Sequence, residues 1–291
     1  MQTIRPGVEM VLDIGNHLGE TPVWSVAEQA LYWVNCEHDP ELLRWNPATG
    51  NLRRWPMQER IGGVVLKKDG TLLVVLARGL YDFDPATGDM ALRVASPLGE
   101  GVSLHESAVD PTGRFWVGAI NEAISPDNPA PGGGKLFRLD GNELVPVIDN
   151  ISCANGLAFA PDGKSLYFSD TLTFRLDKWD LDPASGAISN CRTLANTSLE
   201  TGVIDGATVD SEGGYWATLV FAGKLCRYLP DGTPDILVEL PFMNPTKVAF
   251  GGPDLETLYI TTMGEGGVPG KDGGLYAWKP GFKGLAEPMT E

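Results

Sequence analysis

The sequence predicts an all-β fold, a six-bladed β-propeller of four-stranded antiparallel blades spanning residues 1–291 as a single domain. Three observations predict it. One pattern is written six times: an apolar run, a tight turn rich in Asp, Gly or Pro, then a short strand ending on aromatics. It is clearest in residues 155–168 (NGLAFAPDGKSLYF) and 205–216 (DGATVDSEGGYW). Aligned on their second strands, the copies place Trp33, Val74, Trp116, Phe168, Trp216 and Ile260 in one column, at steps of 41, 42, 52, 48 and 44 residues. That spacing is the period of a propeller blade. Finally, the apolar periodicity is strand-like throughout, with no helical stripe.

Each copy reads as four strands. In the fourth copy they are Leu157–Ala160, Ser165–Ser169, Leu176–Leu181 and Arg192–Ala195. Its first turn is Pro161-Asp162-Gly163, and its third, Asp182-Pro183-Ala184-Ser185-Gly186, recurs as residues 46–50 (NPATG) and 84–88 (DPATG). Proline presets φ near −65° and glycine accepts positive φ, so these pentapeptides are turns with a mechanism. The sixth copy supplies Lys247–Phe250, Thr257–Thr261 and Leu275–Trp278, and then a short polar tail. Its missing outer strand is assigned to Glu9–Ile14, which closes the circle and removes exposed sheet edges.

Composition narrows the function classes. The chain is 43% hydrophobic, with 36 Gly and 22 Pro, as expected of a soluble core with frequent turns. A net charge of −16 argues against nucleic acid or an anionic membrane as partner, since both need a basic face. The acidity serves solubility, or gathers carboxylates around a cation. The four cysteines, Cys36, Cys153, Cys191 and Cys226, form no CxxC pair, and a disulfide framework is not expected. Met1–Met10 holds no apolar stretch of signal-peptide length, and nothing approaches the ~18 apolar residues of a membrane span, so a cytoplasmic location is expected.

The candidate site lies where the repeats converge. Five places before the end of each first strand stand Glu20, Gly62, His105, Asn155, Asp205 and Thr246. In a propeller these six positions ring the central channel. Acids and amides at strand starts are ordinary turn formers when met singly. Three of them at one repeat-equivalent position read differently. Two carboxylates at one channel end repel and raise each other's pKa unless a cation lies between them. Glu20, Asn155 and Asp205 are therefore candidate oxygen ligands of one divalent metal ion.

These residues resemble the gluconolactonase family, which includes regucalcin (senescence marker protein) and the luciferin-regenerating enzyme. The resemblance covers essentially the whole chain. It is most specific in residues 18–24 (LGETPVW), 155–164 with 167–171 (YFSDT), 205–210 with 213–216, and 250–255 (FGGPDL). It implies a six-bladed propeller, one catalytic divalent metal held by Glu20, Asn155 and Asp205, and hydrolysis of sugar lactones. One departure stands out. Aldonolactone-hydrolysing members usually carry an Arg and an Asn two residues apart ahead of the third blade's Val-Asp. Here Ser103 and His105 hold those places, and the Gly-Thr-Met that usually follows is Gly118-Ala119-Ile120. The substrate-binding guanidinium is thus missing there, and Arg60, Arg78, Lys224 and Lys247 are alternative sources of charge.

His105, Ser103 and Glu122 are the candidate substrate-binding residues. His105 is open to four readings: a packed hydrogen-bonded side chain, a fourth metal ligand, a hydrogen-bond partner of a metal-bound water, or a proton donor to the substrate. As a ligand it would move the preferred ion from calcium toward Zn, Mn or Fe(II). Glu122 is either near substrate, as in the family, or a solvated loop carboxylate. His17 and His38 read as surface or loop residues, and Asn121–Gly134, rich in Pro and Gly, as a candidate lid.

The expected reaction is metal-assisted hydrolysis of a small-molecule sugar lactone to its hydroxy acid. The cation acts on the carbonyl, and Asp205 is the catalytic group that takes a proton from water, the alternative being a metal-bound water that is already hydroxide-like. No Gly-x-Ser-x-Gly elbow is present, and Gly132-Gly133-Gly134-Lys135 lacks the strand–loop–helix setting of a phosphate loop. The alternatives are a phosphotriesterase or arylesterase on the same metal, and a noncatalytic calcium-binding propeller. A monomer or weak homodimer is expected.

Overall fold

The Asx-Pro-Ala-Xaa-Gly pentapeptides fold as their chemistry requires. The side chains of Asn46, Asp84 and Asp182 accept the N–H two residues on at 2.7–3.0 Å. The closing glycines, Gly50, Gly88 and Gly186, take φ of 70–83° and donate to the backbone oxygen of the same Asx residue. In this computed structural model, which describes residues 1–125 and 127–291, such turns link the strands of six antiparallel blades.

Blade one is Gly19–Ser25, Ala30–Asn35, Glu41–Trp45 and Leu52–Pro56. Blade two is Ile61–Leu66, Leu72–Leu76, Gly79–Phe83 and Met90–Ala95. Blade three is Val102–Val109, Phe115–Asn121, Gly134–Asp140 and Glu143–Ile151, and blade four is Ala154–Phe159, Ser165–Asp170, Arg175–Leu181 and Ile188–Asn196. Blade five is Val203–Val209, Tyr215–Val220, Lys224–Tyr228 and Pro234–Glu239. Blade six joins Pro245–Gly251, Thr257–Thr262 and Leu275–Trp278 to Glu9–Leu12, the N-terminal strand expected to close the circle, which ends two residues earlier than the sequence suggested. A further strand, Gln2–Ile4, pairs parallel to the outer edge of blade five and was not foreseen. Among the described residues the one helical turn is the 3₁₀ segment Thr171–Thr173.

The six first strands touch one another in sequence, and the sixth touches the first, so they form a closed ring around the axis. Burial follows from this arrangement. The apolar core divides into six clusters, each shared by two neighbouring blades. The aromatic column needs a correction in two copies. Leu31, Leu72, Phe115, Leu166, Tyr215 and Leu258 hold equivalent places opposite the ends of the first strands. Two residues further on, Trp33, Val74, Val117, Phe168, Ala217 and Ile260 all face the preceding blade. Trp116 and Trp216 are one residue out of that column and face the following blade. The cause is polar: their indole N–H groups donate to the buried carboxylates of Asp110 (3.1 Å) and Asp210 (2.8 Å).

The polar tail is more than a tail. Ser211 donates to the Lys283 carbonyl and Gly284 to that of Leu255, while Thr290 exchanges backbone bonds with Leu66 and Lys68, so residues 283–290 form a strap across one end of the channel. Above the strap lies a cavity of about 470 Å³ whose lining includes Thr21, Ser107, Lys247, Leu285 and Glu287.

Candidate active site

A strand running down a closed ring would alternate its side chains between neighbouring blades and leave none for the axis. Each inner strand escapes this with an irregularity. Its register to the second strand breaks between Glu20 and Val23, Ile61 and Gly63, Leu104 and Ser107, Asn155 and Ala158, Ile204 and Ala207, and Pro245 and Val248. These breaks fall at the six ring positions of the sequence. Bulges re-aim side chains, and here they do so six times around one axis.

Glu20 and Asn155 are buried, at 2% and 3% exposure, whereas Asp205 is partly open to solvent. Burial, then the charge of Glu106, pushes the Glu20 carboxyl up to about 7, although Lys247, the Thr21 N–H and Arg60 pull it down. Burial, then Glu20 and Glu106, holds Asp205 well above the usual carboxylate range. Three acids thus crowd one another, and a single cation on the chain, Lys247, opposes all three. The amide of Asn155 is oriented by its Nδ2 donating to Thr171 Oγ1 at 2.7 Å and toward Cys153 Sγ at 3.6 Å. Its Oδ1 is buried with no hydrogen-bond partner. A buried, unsatisfied carbonyl beside mutually repelling carboxylates has the donor chemistry of an oxygen-coordinated cation site. Among the described residues no trio drawn from His, Cys, Asp and Glu alone is gathered tightly enough to hold a metal ion.

Lys247 and Glu106 went unrecognised as a pair in the sequence, where neither falls on the ring. They follow Thr246 and His105 by one residue, and their ion pair closes across the channel at 3.0 Å between side chains 7% and 1% exposed. Glu106 also accepts the Leu157 N–H at 3.2 Å. Burial lowers the tendency of Lys247 to hold its proton, but Glu106 and Glu20 more than offset that and raise it. A signal was present at the offset: residues 21, 63, 106, 156, 206 and 247 read Thr, Gly, Glu, Gly, Gly and Lys. Four small residues leave space, and one acid and one base fill it. Thr246 itself is consumed structurally, donating to the Gly19 carbonyl and lying 2.9 Å from Thr261 Oγ1.

The proposed substrate-binding residues all belong to the third blade. Ser103 is fully buried and donates to Glu122, whose side chain is exposed. Ser103 therefore presents no surface of its own and acts on Glu122. His105 is 5% exposed, and its Nδ1 lies 3.3 and 3.4 Å from the terminal nitrogens of Arg60, whose Nε donates to Glu37 at 2.9 Å. Burial, then Arg60 and Lys247, pushes the His105 imidazole well below its ordinary pKa, so it is neutral. Of the alternative cations, Arg60 and Lys247 are thus at the site, whereas Arg78 is exposed and bonds the Gly99 carbonyl. The rings of His17 and His38 meet at a tilt of 40° with centroids 3.9 Å apart, and His17 Nε2 lies 3.3 Å from Glu265. The candidate lid, residues 121–134, includes Pro126, which lies outside the described residues. The rest is held by bonds from Asn121 to the Gly132 carbonyl (2.8 Å) and from the Gly132 N–H to Ser152 (3.0 Å).

Known proteins resemble this chain over most of its length. The chain is 36% identical to a 6-deoxy-6-sulfogluconolactonase of Pseudomonas putida, over 94% of each chain. It is 34% identical to a pentonolactonase of Haloferax volcanii, over 89% of this chain and 86% of the other. Among solved structures, a calcium-binding protein, regucalcin, from Agrobacterium tumefaciens superposes with a TM-score of 0.92 over 100% of this chain and 99% of that one, at 24% identity, which speaks to the fold alone. A sequence model described as the SMP-30/gluconolactonase/LRE-like region matches residues 18–264, and the chain belongs to that family.

Proposed function

We propose that the chain hydrolyses a sugar lactone to its hydroxy acid, with a divalent cation held by Glu20, Asn155 and Asp205. The observation that carries this reading is the unsatisfied Asn155 oxygen beside two carboxylates that burial and mutual repulsion drive toward protonation. Two relatives of more than 30% identity that act on lactones support the substrate class. An all-oxygen donor set favours a hard ion such as calcium or manganese over zinc.

A bound divalent cation supplies Lewis-acid polarisation of the lactone carbonyl. Asp205, the most accessible of the three carboxylates, accepts a proton from the water that adds to the carbonyl carbon. The ring C–O bond then breaks, and the same proton passes to the departing ring oxygen to give the hydroxy acid. Glu122, which accepts a hydrogen bond from Ser103, would bind sugar hydroxyls. Lys247, paired to Glu106, opposes the negative charge of Glu20 and Asp205.

The test is proton release from a panel of five- and six-membered sugar lactones, comparing metal-stripped protein with protein resupplied with Ca, Mn, Zn or Fe(II). Turnover should need the metal. Asp205→Asn should lower kcat by about 10²–10⁴-fold with the fold retained. A flat panel with tight metal binding favours aryl ester or phosphotriester substrates, and absence of metal binding overturns the reading.

A further inference from the structure

The segment that meets His105 comes from another blade, and it is held there by backbone bonds. The Ile61 N–H donates to the Cys36 carbonyl, the Ala77 N–H to that of Arg60, and the Leu104 N–H to that of Ala77, at 2.9–3.3 Å. This ladder pins Arg60 between blades one and three. Gly62, two residues on, permits the approach: a Cβ there would stand 2.7 Å from His105 Cα and 2.8 Å from its carbonyl oxygen. The Arg60 side chain is 14% exposed, and Glu37 takes its Nε–H. Both terminal nitrogens point at a single acceptor, His105 Nδ1.

Guanidinium offers donors only, so Nδ1 must be the lone-pair nitrogen and the ring proton of the neutral imidazole resides on Nε2. An imidazole can bind a metal only through a nitrogen that carries no proton, and here that nitrogen is occupied by Arg60. We propose that Arg60 is a positioning residue of the site, holding His105 as the Nε2–H tautomer so that it presents a hydrogen-bond donor to the substrate and is not a ligand of the cation. A guanidinium absent from position 103 is thereby recovered from the second blade, one residue removed from the substrate. The substrate part of this inference rests on the lactonase reading, and the tautomer and the exclusion from the metal do not.

The experiment uses the full chain labelled with ¹⁵N-histidine, with His105 assigned among the three histidines by its loss in His105→Gln. Expected are an unprotonated Nδ1 and a protonated Nε2, unchanged on adding calcium or manganese chloride, and a mixture of tautomers in Arg60→Met. Calcium affinity of His105→Gln should stay within about twofold of the parent, whereas loss of a ligand costs more than the 10–100-fold typical of outer-shell partners. On a lactone that turns over, Arg60→Met should raise KM about tenfold with kcat within about threefold, and Arg60→Lys should restore part of it, because one donor is worth roughly 1.4 kcal/mol. A protonated Nδ1 in the parent protein, a metal-dependent Nε2 shift, or a calcium affinity of His105→Gln lowered more than about tenfold would each overturn the proposal. Lack of turnover on every lactone would count against the lactonase reading while leaving the spectrum and the metal titration to judge Arg60.

Discussion

Lys247 carries a full charge in a place where a lone ammonium would not survive. It is tolerated because Glu106 meets it at 3.0 Å and because Glu20 and Glu287 lie within reach of its field. Pairs of this kind contribute little net stability, but breaking one leaves an uncompensated buried charge. Lys247→Met should therefore destabilise the protein by about 3–5 kcal/mol, and adding Glu106→Gln should recover most of the loss, as read by urea denaturation. Equal loss in the single and double variants would show that the Lys247 stem matters for packing rather than charge. The ring residues and this pair differ in how far the sequence exposes them. Glu20, Asn155 and Asp205 recur at one offset in related repeats and can be found by alignment of the chain with itself. Glu106 and Lys247 are 141 residues apart, and only the closed ring brings them together. The contact of Arg60 with His105 is likewise set by an inter-blade ladder that has no sequence signature.

The element that does this work is the bulged inner strand, and its small residues are shaped by what crosses them. Gly206 has an ordinary backbone conformation, so its lack of a side chain answers to packing. A Cβ there would overlap Cβ, Cγ and Cδ of Lys247. Because the overlap reaches the root of the lysine rather than its flexible end, the strand itself would have to shift. Gly206→Ala should cost about 1–3 kcal/mol and should also weaken the proposed cation site through Asp205, its neighbour, measurable as a lower Tm and a lower calcium affinity. An unchanged Tm would mean that the inner strands are more pliable than six interlocked bulges suggest. Strand number, turns and closure were legible because each turn carries its own local chemistry. The aromatic column slipped by one in two copies because Trp116 and Trp216 look like core residues but answer to Asp110 and Asp210. The parallel strand Gln2–Ile4 and the strap left no periodic trace, since both are paired by tertiary fit to distant edges.

At the scale of the molecule, the strap makes folding stability depend on pH. Glu287 lies on it; the residue is partly exposed, and burial pushes its carboxyl up to about 7 against the smaller opposing pull of Lys247. In the unfolded chain the same group titrates near its ordinary value of about 4.3. Between these two values the folded protein keeps a proton that the unfolded chain has released, so unfolding becomes easier as pH rises. The associated stability is complete below about pH 4 and is lost as pH climbs through about 7. Glu20 has the same sign, but a bound cation removes its share by favouring the ionised form. With saturating calcium, Tm should still fall between pH 5 and pH 8, and the part due to Glu287 should vanish in Glu287→Gln, whose amide is neutral throughout. Partial exposure of the residue limits that part to on the order of 2 kcal/mol. If Glu287→Gln followed the parent's pH dependence unchanged, the carboxyl would be ionised in the fold across this range. The strap would then be held to Lys247 by charge, and Glu287→Gln would lower Tm by the same amount from pH 5 to pH 8.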